Sequence, residues 1–453
     1  RPSLLRRCIG WANPVRLMES PRALRVGIGL ILMAYLSIGT MYAVNTPAWQ
    51  APDEPAHYNY IRSLAENRRF PVLQPGDYDQ LYISQLTARG FPSDMSVDRL
   101  RYEGHQPPLY YLLATPLFTI SDGSLLALRM FSLALGGVTV LFAGLCAHAL
   151  FPRNSAVALA AAGFVAFLPQ HMAMMAAVNN DALAELLMSV GLWLLLRRCA
   201  GWMLGLVIGL AILTKATVYV LAPLAVYTLL SRMFRGRWNW HELWQLIIPV
   251  LLLGPLWWGR NLLVYGWPDV LGLQRHAQIV IGQPGSFAWL QRYGALEFGI
   301  RFAQTSFQSF WGQFGWMGIP MGARVYQLLV VFSLMIVTGL GIALWRCPPL
   351  SERQRDGVTI LTITAASVLL QYLVYNLEFV QHQGRYLYPA LVPLALACAV
   401  GIWGWASAIG GLWPAGKLVL RWLPAMLAPA LAALALHALF GVVMPAFALG
   451  GVL

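Results

Sequence analysis

Apolar positions along the chain fall into runs of roughly 20 residues with few charges, and each run is long enough to cross a bilayer as a helix. Pro107–Ile120 is apolar but shorter and contains three prolines, so we predict an interfacial or re-entrant helix there instead of a span. The pattern predicts an all-α, polytopic membrane protein. We expect about eleven spans: Leu24–Val44, Leu125–Leu150, Ala156–Pro169, Leu183–Leu196, Met203–Leu213, Val218–Leu230, Leu246–Trp258, Tyr326–Leu344, Thr359–Val374, Leu387–Trp405 and Trp422–Leu439.

Composition supports this class and excludes others. The chain is 58% hydrophobic and 11% charged, with a mean hydropathy of +0.60. Its net charge of +13 would suggest nucleic acid in a soluble protein, but basic residues of membrane proteins collect in cytoplasmic connectors and against anionic lipid headgroups. We therefore expect membrane lipids as neighbours and no nucleic-acid partner.

Arginine positions set the orientation. If Pro107–Ile120 does not cross, most arginines in short connectors fall on the side of the N-terminus, which is then cytoplasmic. Residues 45–124 and 259–325 become long external loops. We divide the chain into a basic cytoplasmic N-terminus (1–23), a transmembrane catalytic module (24–405) and a C-terminal connector with the last span (406–453).

This orientation gathers unusual polar residues on the external face, although they come from separate parts of the chain. Asp53 and Glu54 follow the first span, ahead of an amphipathic segment that places Tyr60, Ile61 and Leu64 on one face. The acidic, basic and histidine candidates on this face are Asp53, Glu54, His57, His105, Asp181, Lys215, Arg260, Glu378 and Arg385.

Each candidate also has a structural interpretation. Asp53 or Glu54 before Pro55 makes a good helix N-cap, and Asn180 could cap the helix that holds Asp181 in its first turn. Lys215 and Arg385 could extend to lipid headgroups, and His57 and His105 could be packing residues without a chemical role. The chemical interpretation is a base that deprotonates a hydroxyl while cations stabilise a departing phosphate. No P-loop, dinucleotide-binding or serine-hydrolase motif occurs in the sequence.

Several motifs together resemble a known superfamily. The acidic pair and amphipathic helix precede Pro-Pro-Leu-Tyr-Tyr at 107–111, Asn-Asn-Asp at 179–181 and Leu-Thr-Lys at 213–215. This order resembles the GT-C superfamily of integral-membrane glycosyltransferases, nearest to its aminoarabinose-transferase and protein-mannosyltransferase branch. Segments 52–57, 310–316 and 383–389 are similar to a bacterial family of predicted membrane proteins of unknown function. The resemblance extends to about residue 405.

The resemblance implies a polyprenyl-phosphate-linked sugar as donor and an acceptor that is a lipid, a glycan or a protein. It also implies inversion at the anomeric carbon and an active site on the extracytoplasmic side of the bacterial inner membrane. Asp53 then corresponds to the base, with Glu54 beside it, and Asp181 to the second acid. Related enzymes often have a lysine where this chain has Gly104-His105-Gln106, so the donor phosphate is expected at Lys215, Arg260 and Arg385. The remaining candidates, expected to bind substrate, are His57, His105, Tyr110, Glu378 and Tyr386.

Three alternatives stay open at the level of sequence. A divalent cation (Mg, Mn or Zn) could be held by Asp53, Glu54, His57 and His105, since carboxylate and imidazole are suitable ligands, but some relatives work without one. A flippase or transporter of lipid-linked saccharides would use the same charges to line a pathway. A glycan ligase or polymerase would use a polyprenyl-diphosphate donor.

Overall fold

The computed structural model of the chain describes residues 21–236, 240–346 and 349–448. The basic N-terminus predicted for residues 1–23 lies outside this part of the chain, except for its last three residues. The described residues are almost entirely helical, as predicted, and their only strands are β1 and β2, Gln313–Phe314 and Ile319–Pro320, which pair antiparallel.

The helices are numbered here in chain order. In the first half of the chain they are α1 Pro21–Asn45, α2 Glu54–Asn67, α3 Gln80–Ala88, α4 Leu109–Ile120, α5 Leu125–Leu150, α6 Ser155–Phe167, α7 Pro169–Met175, α8 Asp181–Arg197 and α9 Gly201–Ile212. In the second half they are α10 Leu221–Phe234, α11 Trp240–Tyr265, α12 Leu273–Ile279, α13 Ser286–Trp311, α14 Ala323–Arg346, α15 Glu352–Glu378, α16 Leu391–Leu412, α17 Lys417–Leu420, α18 Leu427–Ala438 and α19 Met444–Ala448. Short 3₁₀ turns at Tyr102–His105 and Gly384–Ala390 also matter for the site.

Eight helices of the described chain are long and apolar enough to cross a membrane, so the predicted count of eleven is not confirmed. The difference lies in three segments. α6 and α7 are bent by 62° and form at most one broken span, α8 has 17 residues, and α9 has 12. α4, predicted not to span, is likewise a 12-residue helix. Apolar runs alone did not distinguish full spans from short helices buried among others.

The centre of the bundle is α6, in which every residue is buried. It packs against α5, α16, α18 and α1. Small residues permit these close approaches. A side chain at Gly163 would collide with Ala428, and one at Gly339 of α14 would collide with the backbone of Gly401 in α16.

The last long helix also belongs to this core. The Tyr42 hydroxyl of α1 donates to the carbonyl of Ala435 in α18 at 2.8 Å. With the Gly163–Ala428 contact, this places the C-terminal segment against the centre of the bundle. The division of the chain at 24–405 and 406–453 stays a prediction, but α18 is not detached from the rest.

The two long loops meet at one end of the bundle and form a small layer of their own. Leu73, Ile83 and Leu86 from the first loop pack with Ile279 and Val280 from the second. The predicted amphipathic helix is present as α2, and Tyr60, Ile61 and Leu64 are buried, as its periodicity indicated. The loop layer therefore covers the end of the bundle at which the candidate residues lie.

Candidate functional site

Asp53 joins two segments that are far apart in the sequence. One carboxylate oxygen accepts a hydrogen bond from Tyr102 at 3.0 Å, and the other is 2.6 Å from a terminal nitrogen of Arg385. Arg385 is itself held by Gln383, whose side-chain oxygen accepts from its Nε at 2.7 Å. Burial opposes ionisation of Asp53, but the charge of Arg385 and the hydrogen bonds from Arg385 and Tyr102 outweigh it and hold the pKa of that carboxyl below its usual range.

The backbone at Asp53 is in the left-handed region, with φ of 67°. This conformation is uncommon for a residue with a side chain, but aspartate and asparagine tolerate it better than most. Asp53 occupies the N-cap position of α2, yet its side chain makes no capping hydrogen bond. The capping interpretation of Asp53 is therefore wrong, because its carboxylate turns to Tyr102 and Arg385.

A second ion pair lies close enough to the first for Arg385 and Asp181 to interact electrostatically. Lys215, in the turn after α9, lies 2.6 Å from the Asp181 carboxylate at the start of α8. Asn180 does not cap α8 with its side chain; instead the Asn179 side chain accepts from the amide of Asp181 at 2.9 Å. Lys215 and Arg385 are thus largely buried and ion-paired, and the interpretation that they only extend to headgroups is wrong.

His57 lies among these charges. Its Nδ1 is 2.9 Å from the Tyr111 hydroxyl, and its ring is close enough to interact electrostatically with Glu103, Lys215, Asp53 and Asp181. Burial lowers the pKa of His57, so the ring is neutral at neutral pH. The site thus combines two acid–cation pairs around a neutral histidine.

Glu103 belongs to the same cluster and was not among the sequence candidates. It lies in the 3₁₀ turn between Tyr102 and His105, and its Oε2 is buried with no hydrogen-bond partner among the described residues. Burial raises the pKa of Glu103, and nearby Asp53 adds to the effect. The available signal was an acid two residues before His105, in a loop already assigned to the site.

Glu54 is not part of this cluster, although it adjoins Asp53 in the sequence. Its side chain is fully buried, and its two oxygens bind Nε and a terminal nitrogen of Arg129 at 2.8 and 2.6 Å. They also accept from the amides of Val178 and Trp49. The structure therefore does not present Glu54 to a substrate, and the prediction that it acts in catalysis is revised to a structural role.

Arg129, the partner of Glu54 in this structural pair, was also not identified from the sequence. It donates to the carbonyls of Ala43, Thr46 and Pro47, so one guanidinium ties the end of α1 to the loop that leads to Asp53. The signal in the sequence was an arginine inside a predicted span, which is costly unless it is paired.

The other predicted residues are less central. Arg260 binds the Pro71 carbonyl and stacks over Trp257, and no described contact joins it to either acid–cation pair. Glu378 is exposed at the end of α15. Neither is brought into the cluster, so the predicted roles of Arg260 at the phosphate and of Glu378 at the substrate are not supported.

Two predicted tyrosines adjoin the ion pairs: Tyr110 contacts the loop that holds Asp181, and Tyr386 lies next to Arg385. The Tyr110 hydroxyl bonds Ser132 at 2.7 Å and accepts from the amide of Asn179 at 3.2 Å, so it buttresses the Asp181 loop from a buried position. The predicted contact of Tyr110 with substrate is therefore revised to support of that loop. Tyr386 lies beside Arg385, with its ring centroid 5.4 Å from the guanidinium carbon.

The four residues predicted for a divalent cation do not form a ligand set. Glu54 is engaged by Arg129, Asp53 by Arg385 and His57 by Tyr111, while the His105 ring contacts the His276 ring at a tilt of 45°, with ring centroids 4.4 Å apart. Among the residues that the structure describes, no group of three or more His, Cys, Asp or Glu has the geometry to hold a metal. We assign no step to a metal.

The contact between His105 and His276 predicts a pH dependence of stability. Burial lowers the pKa of His105 to about 4 and that of His276 to about 3, against about 6.5 for an unfolded histidine. Between those values the unfolded chain binds more protons than the folded one. We therefore expect the melting temperature in nanodiscs to fall as the pH drops from about 6.5 to about 4.

His105→Gln should flatten this decline, because one of the two buried rings is removed. His241→Gln, which changes an exposed histidine at the opposite end of the bundle, is the matched control and should keep the wild-type slope. An unchanged slope in His105→Gln would show that His105 does not contribute to it.

Comparisons with known proteins agree with this fold. A family model described as dolichyl-phosphate-mannose-protein mannosyltransferase matches residues 105–258. That stretch includes Asp181 and Lys215, while Asp53 and Arg385 lie outside it. No curated protein matches the chain.

Two solved structures are similar to the chain. One is ArnT from Cupriavidus metallidurans bound to undecaprenyl phosphate, with a TM-score of 0.50 at 15% identity, over 94% of this chain and 74% of that chain. The other is the Archaeoglobus fulgidus oligosaccharyltransferase tethered with an acceptor peptide, with a TM-score of 0.43 at 13% identity, over 90% of this chain and 54% of that chain. At such identities the likeness concerns the fold.

The chain is a multi-pass, all-α membrane protein whose charged cluster lies at one end of the bundle. The resemblance to the GT-C superfamily of integral-membrane glycosyltransferases, which the sequence motifs predicted, is confirmed. The similarity to the bacterial family of unknown function stays a prediction.

Proposed function

We propose that the protein is a glycosyltransferase that moves a sugar from a polyprenyl-phosphate donor to an acceptor hydroxyl. The single observation that carries this proposal is the arrangement of Asp53 with Arg385, opposite Asp181 with Lys215, at one end of a membrane bundle. Carboxylates supply a base, and the two cations suit a phosphate. The family match and the likeness to a structure with bound undecaprenyl phosphate support the same class of donor.

In the proposed reaction Asp53 accepts the proton of the acceptor hydroxyl. The hydroxyl oxygen forms a bond with the anomeric carbon from the face opposite the phosphate, and the bond between that carbon and the phosphate oxygen breaks. The configuration is inverted, and polyprenyl phosphate leaves with the bonding electron pair. Lys215 and Arg385 stabilise the negative charge on the phosphate.

Asp53 is ionised at neutral pH, because Arg385 holds its pKa low, but the same pairing makes it a weak base. A bound phosphate would compete with Asp53 for Arg385. Loss of part of that ion pair would raise the proton affinity of Asp53 only when the donor is in place. The geometry thus couples donor binding to activation of the base.

We further propose that the reaction takes place on the extracytoplasmic face of a bacterial inner membrane. The arginine distribution supports this orientation, since it places the loop layer over the cluster outside the cytoplasm. The acceptor would then be a lipid, glycan or protein of the cell envelope.

The test is transfer of label from a panel of radiolabelled polyprenyl-phosphate sugars by wild-type protein in proteoliposomes, with crude envelope lipids, glycans and peptides as acceptors. We expect protein-dependent transfer from at least one monophosphate donor. Transfer only from diphosphate-linked oligosaccharides would instead identify a ligase or polymerase. Movement of labelled lipid across the bilayer without transfer would identify a flippase and overturn the proposal.

A further inference from the structure

A polar cavity lies beside the cluster, in the layer formed by the loops. It has a volume of about 150 Å³ and lies between α2 and the extended segment 71–77, with the 3₁₀ turn closing one side. Its polar lining comes from Asn59, Ser63, Gln74, Asp77 and Arg101. Since about 10–15 Å³ of such space is enough to hold one water molecule, the cavity has room for several waters or for one sugar ring.

The position of the cavity relates it to Asp53. Ala56, Asn59 and Ser63 lie along one face of α2, on successive turns that begin three residues after Asp53. At 1.5 Å per residue, the lining runs from about 5 Å to about 15 Å along the helix from Asp53. Arg101 precedes the turn in which Tyr102 binds the Asp53 carboxylate, and Gly104 lies within that turn.

The walls of the cavity are held in place by contacts on both sides. The Pro71 carbonyl accepts from Arg260, the Leu73 amide donates to the Tyr265 hydroxyl, and the Leu73 carbonyl accepts from Arg275. The segment opposite α2 is thus anchored by the second loop, so the cavity does not need to be formed by a ligand.

One buried group in the lining lacks a partner. The Asn59 side chain is 3% exposed and donates both amide hydrogens, to the carbonyls of Val97 and Leu100 at 2.8 and 2.9 Å. These bonds determine the orientation of the amide and leave Oδ1 without a partner among the described residues. An unsatisfied buried acceptor is costly, and Asn59 belongs to the cavity lining, so a ligand hydroxyl that reached Oδ1 would be stabilised.

The charges of the lining balance. The Asp77 carboxylate is 2.9 Å from Nε of Arg101 and also accepts from the backbone amide of Gln74 at 2.8 Å. More than half of the Arg101 side chain is exposed at the mouth of the cavity. A site of one acid–arginine pair with amide and hydroxyl groups favours a neutral ligand that offers several hydroxyls.

We propose that this cavity is an acceptor subsite, which binds a neutral monosaccharide unit next to the hydroxyl that Asp53 activates. The proposal rests on the proposed glycosyl transfer. The cations suited to the donor phosphate come from other segments, Lys215 after α9 and Arg385 before α16, so the cavity is left for the acceptor. A sugar in it would direct a neighbouring hydroxyl along α2 towards Asp53.

The test is binding, which does not require turnover. Purified protein in nanodiscs, free of sugar-headed detergent, is titrated with methyl glycosides of glucose, mannose, galactose and arabinose, with glucuronate and glucosamine as charged comparisons. Binding is read by saturation-transfer NMR. We expect a saturable signal from at least one neutral sugar and a weaker or absent signal from the charged ones.

Ser63→Trp fills the cavity and should abolish this signal. Ser84→Trp, the same change at an exposed serine of α3 outside the cavity, should keep it. Ser63→Ala, which leaves the space open and disturbs packing least, should weaken the affinity by roughly threefold to tenfold, as expected for one hydrogen bond.

Absence of a signal from every neutral sugar, or a signal that Ser63→Trp leaves unchanged, would overturn the subsite and leave the cavity to water. This failure is distinct from failure of the proposed function, which is read from wild-type transfer of labelled donor. If the wild type transfers sugar but shows no cavity-dependent sugar binding, only the subsite proposal is rejected. If sugar binding depends on the cavity but no donor supports transfer, the proposed transferase function is rejected, and the cavity is a sugar-binding site without the proposed role.

Discussion

Asp53→Asn is expected to lower kcat/KM for glycosyl transfer by roughly 10²- to 10⁴-fold, the usual contribution of a general base. Asparagine tolerates the left-handed backbone of Asp53 and can still accept from Tyr102 and Arg385, so the fold should be retained, with some loss of stability because Arg385 loses its counter-charge. The variant removes the negative charge that takes the proton. The measurement is transfer of radiolabel in proteoliposomes at matched protein insertion.

Asp94→Asn is the matched control, because Asp94 is an exposed acid of the same loop, and Arg89 is its one ion-pair partner among the described residues. It should transfer at the wild-type rate. Thermal unfolding of both variants in nanodiscs separates a lost base from a lost fold. If Asp53→Asn is inserted, stable and fully active, Asp53 is not the base and the proposed mechanism fails.

Glu54→Gln should lower the free energy of unfolding by about 3–5 kcal/mol, because it leaves the buried Arg129 guanidinium without its counter-charge. The pair is among the most buried of the chain, with side-chain exposures of 4% for Arg129 and 0% for Glu54. It also anchors the end of α1 and the segment before Asp181. The variant should therefore insert poorly and show a lower melting temperature.

Asp98→Asn provides the comparison, since its pair with Arg62 is exposed and should contribute at most about 1 kcal/mol. The double variant Glu54→Gln/Arg129→Met should recover part of the loss, because it removes both buried charges instead of one. A single variant as stable as wild type, or a double variant that loses the sum of both changes, would contradict this account.

The two acids of the first loop thus differ in role although they are neighbours. Asp53 is a quarter exposed and is held by groups from the loop turn and from the segment before α16, whereas Glu54 turns into the bundle. Consecutive residues at a helix start point in different directions, so one faces the site and the other the core. Their adjacency in the sequence suggested a shared catalytic role, and this inference was wrong.

The sequence by itself determined the class of the protein and indicated several of the charged residues that gather at one end of the bundle. Long apolar runs indicated membrane helices, the periodicity after Glu54 predicted α2 with its buried face, and short motifs in order indicated the GT-C resemblance. These features depend on residues close together in the chain, where periodicity and hydropathy act directly. Asp53, Asp181, Lys215 and Arg385 were therefore available as candidates.

Only the tertiary structure decided which of these residues meet. Asp53 pairs with Arg385, 332 positions away, and Glu54 with Arg129, 75 positions away. The external loops contain several basic residues, and local sequence patterns cannot tell which of them pairs with a given acid. The choice of partner depends on how the helices pack. The same reason explains why Glu103 was missed and why Arg260 was expected at the phosphate. Side chains at such a site take their roles from the bundle that surrounds them.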